Sequence, residues 1–181
     1  MWQNLKKRLF HWSPNHLPLG ILLFAWLWIV LTNTKAGTYF LSWDLMDSSF
    51  APLWMIQRSL FETWQSFQGL GLLGGHGYAA QLPQAIIQLV LSFFIPEMYL
   101  RYAFTYLMLL SGITGAYFLT DYILPHKKEM YHTQKIPAIA AGLLYLLHFG
   151  TVQNFYVALE PFIAMYGILP WILLQIFVLL K

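Results

Sequence analysis

Seven acidic residues occur in the 181-residue chain, and two of them, Asp44 and Asp47, stand three apart in the stretch LSWDLMDSSF. A carboxylate held at a lipid–water boundary loses part of its hydration, which raises its pKa and makes it a better general base. One of the pair could deprotonate an acceptor hydroxyl. The other could hold a divalent cation (Mg, Mn or Ca) bridging to a phosphate, since hard cations take oxygen ligands. The same two residues also fit a plainer description, acids at a helix start that favour the macrodipole.

Three more groups could join such chemistry. Arg101, four residues after Glu97, could clamp the phosphate of a lipid carrier; it could equally pair with Glu97 or with a headgroup. Glu160, directly before Pro161, is either a helix N-terminal acid or one of the boundary carboxylates whose cost in lipid points to function. His76 lies in GLGLLGGHGY, where it could line a polar cavity or stand as an exposed loop histidine. That stretch fits neither G-x-x-x-x-G-K-[ST] nor a strand-flanked G-x-G-x-x-G. Its glycines are expected to permit a tight turn. His148, in an apolar run, reads as a helix-packing hydrogen bonder.

The elements that must position these groups are helices in lipid. The chain is 59% hydrophobic, 18% aromatic and 9% charged, whereas a soluble domain carries about a quarter charged residues. So much apolar surface cannot be buried inside 181 residues. The absence of cysteine excludes disulfides, thiolate nucleophiles and cysteine metal sites. A net charge of +3 from scattered basic residues leaves no nucleic-acid footprint.

The hydropathy pattern predicts an all-α integral membrane chain with four spans, at 17–33, 98–123, 137–152 and 161–180. The first, behind a basic patch and without a small-x-small cleavage site, reads as an uncleaved anchor. The segment 84–95 is apolar but short, contains Gln88 and is fenced by Pro83 and Pro96. Counting it as a span would put the loop HKKEMYHTQK outside, against the positive-inside rule. Residues 34–97 therefore form one long external loop, with surface helices expected at 48–68 and 84–95. On the first of these, Phe50, Leu53, Trp54, Leu60, Phe61, Trp64 and Phe67 fall near one face, which suits the headgroup boundary. Asp44, Asp47, His76, Arg101 and Glu160 then share the external side, with the N-terminus cytoplasmic.

This order of elements resembles the N-terminal module of the GT-C superfamily of polytopic glycosyltransferases, in particular the mycobacterial-type arabinofuranosyltransferases. The stretches that carry the resemblance are GGHGYAAQLPQAIIQLVLSFF, RYAFTYL, AAGLLYLL and ALEPF through LPW. They are loose patterns covering nearly the whole chain from about Leu17. The resemblance implies a bacterial or archaeal plasma-membrane enzyme that takes a pentose or hexose from a polyprenyl-phosphate donor. Its acceptor would be an extracytoplasmic glycan or lipid. Asp44 would be the base with Asp47 as substitute, Arg101 would lie near the donor phosphate, and Glu160 would be the second acidic position. Family members are considerably longer, so the chain looks like an N-terminal portion. The acidic pair is D-x-x-D rather than D-x-D, which puts a metal role in doubt. Two other classes compete: a transporter or flippase, which should show midplane charges and internal repeats, and a non-catalytic assembly subunit, in which Asp44, Asp47 and Glu160 would be replaceable.

Overall fold

The structure is a computed structural model that describes residues 17–40, 51–61, 64–65, 72–73, 75–124, 131–156 and 160–180. For residues 17, 64–65, 72–73, 75–80, 131–134 and 160 it describes the backbone alone. In chain order the helices are α1 (Leu17–Asn33), α2 (Pro52–Phe61), α3 (Gly75–Ser92), α4 (Leu100–Ile123), α5 (Tyr131–Leu147), α6 (Phe149–Tyr156) and α7 (Glu160–Leu179). A short 3₁₀ turn, Glu97–Tyr99, leads into α4. Between α2 and α3, β1 (Trp64–Gln65) pairs antiparallel with β2 (Leu72–Leu73), Trp64 opposite Leu73.

Two segments, Glu97–Ile123 and Pro161–Leu179, are long and apolar enough to cross a membrane. A third crossing is available if Lys135–Leu147 and Phe149–Tyr156, bent by 44°, count as one broken span. α1, at 17 residues, is at the short end of what a crossing needs. Large apolar side chains such as Phe24, Trp28, Leu144 and Phe162 face outward from these helices, the pattern expected where the surrounding solvent is lipid.

α4 is the central helix, and its contacts give the directions of α1, α5 and α7. Along α1, Trp26 Nε1 donates to the Tyr106 carbonyl at 2.9 Å. Beyond its end, Thr38 Oγ1 lies 3.2 Å from the Tyr102 hydroxyl. Numbers rise on one side as they fall on the other, so α1 runs antiparallel to α4. α5 does the same: Lys135 reaches Asp121, while a Cβ on Gly142 would stand 3.3 Å from the Ile113 carbonyl. α7 runs parallel to α4, with Ile163 against Phe104 and Met108 and Trp171 against Ser111. Small residues let α4 and α7 approach closely. A Cβ on Gly167 would come within 2.9 Å of the Met108 carbonyl, and one on Gly115 within 2.8 Å of Trp171 Nε1. Leu22, Leu109, Ile113, Tyr117, Ala138, Leu146 and Tyr166 form the main core.

Several element bounds differ from the sequence expectation. The surface helix expected over 48–68 is the ten-residue α2, because Trp64–Gln65 is taken by the ladder. The helix expected over 84–95 starts at Gly75, so the glycines Gly75 and Gly77 open a helix rather than a turn, and Pro83 lies inside it. It stops at Ser92, where Phe93 N–H and Phe94 N–H fall back to the Val90 and Leu91 carbonyls, and Pro96 bars continuation. The expected third span breaks at His148. There the imidazole Nδ1 accepts the Gly150 N–H at 3.0 Å, capping α6. His148 is thus a helix cap rather than a packing group between helices.

Candidate functional site

Because α1 is antiparallel and α7 parallel to α4, the end of α1, the start of α4 and the start of α7 lie at one end of the bundle. Arg101 is in the first turn of α4 and Glu160 is the first residue of α7. Asp121 lies 20 residues beyond Arg101, about 30 Å along the helix, close to the hydrocarbon thickness of a bilayer. There it accepts Lys135 Nζ at 2.7 and 2.8 Å. The charged groups of the described bundle thus collect at its two ends.

Arg101 is 5% exposed, and its Nη1 donates to the Phe40 carbonyl at 3.1 Å. That bond ties the chain leaving α1 to the head of α4. Aromatic packing supports it: Phe40 stacks on Tyr102 at 4.9 Å, and Tyr102 continues to Tyr106 at 6.0 Å. Such an aromatic layer suits the headgroup level. Arg101 therefore acts on backbone at the bundle end and is not held out toward water. Glu97, one of the partners considered for it, is exposed.

Phe40 immediately precedes LSWDLMDSSF. Asp44 and Asp47 themselves lie outside the described residues. His76 is the second residue of α3 and Glu160 opens α7, both placed by backbone alone. Among the described residues no group of three or more His, Asp or Glu could hold a metal ion, so the cation expectation rests entirely on Asp44 and Asp47.

Four further polar residues lie inside the fold. Arg58 (3% exposed) on α2, Gln84 (8%) and Gln88 (0%) on α3, and Thr105 (1%) one turn past Arg101 are all buried. The Arg58 guanidinium stacks over the Trp54 ring at 4.0 Å. Only one signal could have found them: Arg58, Gln84 and Gln88 interrupt segments whose other residues are mostly apolar. A buried charge is costly unless it is paired or hydrogen-bonded, and Arg58 is such a charge inside the fold.

The chain matches no protein-family model, no curated protein and no solved structure.

Proposed function

We propose that the chain is the N-terminal part of a membrane-embedded glycosyltransferase that moves a sugar from a polyprenyl-phosphate donor to an extracytoplasmic glycan or lipid. The observation that carries this reading is the Arg101–Phe40 hydrogen bond. It anchors the chain four residues before Asp44, a reach of at most about 14 Å, at the bundle end where Glu160 begins α7. A lipid donor would arrive there laterally, with its phosphate at headgroup level. Asp44 or Asp47 would take the proton of the acceptor hydroxyl as the oxygen attacks the anomeric carbon. The lipid phosphate leaves with the electron pair of the broken glycosidic bond. A cation at the acidic pair would balance charge on that phosphate, but no step here depends on it.

The test is sugar transfer by the full-length protein in membranes supplied with polyprenyl-phosphate-linked pentose or hexose. Asp44→Asn or Asp47→Asn should lower the rate by about 10²–10⁴, the usual contribution of a general base. Unchanged transfer in both variants, and in Glu160→Gln, would leave the assembly-subunit reading in its place.

A further inference from the structure

We infer that the outer faces of α2 and α3 are seated in the hydrocarbon of the bilayer, making this pair a lipid-immersed unit and not a water-facing external domain. The polarity of the pair is inverted. On α2, Leu53, Trp54, Leu60 and Phe61 face outward while Met55 and Arg58 are buried. On α3 and the turn after it, Ile86, Val90, Phe93 and Phe94 face outward, and Gln84, Ala85 and Gln88 are buried. Phe61, Phe93 and Phe94 are 79, 76 and 82% exposed.

In water the opposite packing would prevail. Burying Leu, Val and Phe side chains is favourable in water, while an arginine or glutamine is best left hydrated. In a hydrocarbon surround the apolar gain vanishes and the polar side chains must turn inward. The structure has the second arrangement on both helices.

The occupant of this face is lipid and not another protein. No charged residue lies among the exposed residues of 51–61 or 81–94; Gln57 and Ser92 are the polar ones. A protein interface would be expected to carry a polar rim. The face is also continuous with the candidate spans, because Ile87 packs on Phe104, Met108 and Ile163, and those helices show the same apolar exterior. This inference holds whether or not the protein transfers sugar.

Nitroxide accessibility tests it, using the absence of native cysteine. Single cysteines at Phe61, Val90, Phe93 and Phe94, with exposed Lys35 as the aqueous control, are labelled in the full chain reconstituted in phosphatidylcholine–phosphatidylglycerol vesicles. All four test positions face outward, so the substitutions remove no core packing. Collisions with oxygen should exceed those with a water-soluble nickel chelate several-fold at the four positions, and the ratio should invert at Lys35. Nickel-dominated collisions at Val90 and Phe93 would place the pair in water. Low collision rates with both reagents would mean that a protein surface or a second copy covers the face. Either result overturns the inference.

Discussion

Tyr145 and Tyr166 exchange hydrogen bonds across the α5–α7 contact: the Tyr145 hydroxyl donates to the Tyr166 carbonyl at 3.1 Å, and the Tyr166 hydroxyl to the Tyr145 carbonyl at 2.9 Å. Their rings stack at 4.3 Å. Each bond repairs a helix defect. Pro170 has no N–H to offer the carbonyl four residues earlier, that of Tyr166. The end of α5 at Leu147 leaves the Tyr145 carbonyl without its helical donor. The Tyr145 carbonyl has a second donor in Thr151 Oγ1 at 2.7 Å.

That asymmetry yields the first prediction. Tyr145→Phe strips the Tyr166 carbonyl of its side-chain donor and should cost about 1–3 kcal/mol, whereas Tyr166→Phe, with Thr151 still in place, should cost about 0.5–1.5 kcal/mol. Adding Pro170→Ala restores an N–H and should recover part of the Tyr145→Phe loss. Equilibrium unfolding in detergent compares the variants; equal costs for the two tyrosines would show that the carbonyls are not what they serve.

Gly112 lies directly beneath the same pair. A Cβ there would clash with Tyr166 Cε1 and stand 3.1 Å from Tyr145 Cε1, while one on Gly20 would meet nothing within 4 Å. Gly112→Ala should therefore destabilise by about 1–3 kcal/mol through overpacking. Gly20→Ala, inside α1, should be neutral or stabilise by up to about 1 kcal/mol. Thermal midpoints of the two variants should move in opposite directions or differ clearly.

The break that creates this arrangement was not legible in the sequence. Hydropathy runs smoothly through His148, and the bend is held by bonds from Thr151 and Tyr166 to the Tyr145 carbonyl and from the Gly150 N–H to the His148 ring. What could be read was the helical character and the presence of long apolar helices, since periodicity and charge density report the surrounding solvent directly. Arg58 is harder to read, because nothing in the local pattern of α2 marks it as buried while its neighbour Gln57 stays exposed. Arg101 stands out as a charge near the start of a long apolar segment, but its partner, a backbone carbonyl 61 residues away, has no sequence signature.

Thr105 Oγ1 is buried and has no hydrogen-bond partner among the described residues. Thr105→Val keeps the shape and removes the desolvated hydroxyl, so stability should rise by about 1 kcal/mol. A fall in the unfolding midpoint would mean that the hydroxyl meets a partner in the membrane.

At the opposite end, the Asp121–Lys135 pair is 21 and 17% exposed, between the surface and buried regimes. Asp121→Asn should cost about 1–3 kcal/mol, and Asp121→Asn with Lys135→Met should recover part of it by removing the stranded charge. A double variant no more stable than the single would show that the two groups are not coupled.

The proposed function requires the end of α1 and the start of α4, which lie at one end of the bundle, to face outward, opposite the basic loop. Impermeant thiol labelling of single cysteines at Lys35, Glu97 and Thr133 in intact cells tests it most directly. Labelling at Lys35 and Glu97 and none at Thr133 is the expected result. Labelling at Lys35 and Thr133 with Glu97 protected would send α3 across the membrane, carry Arg101 to the inner side, and contradict it.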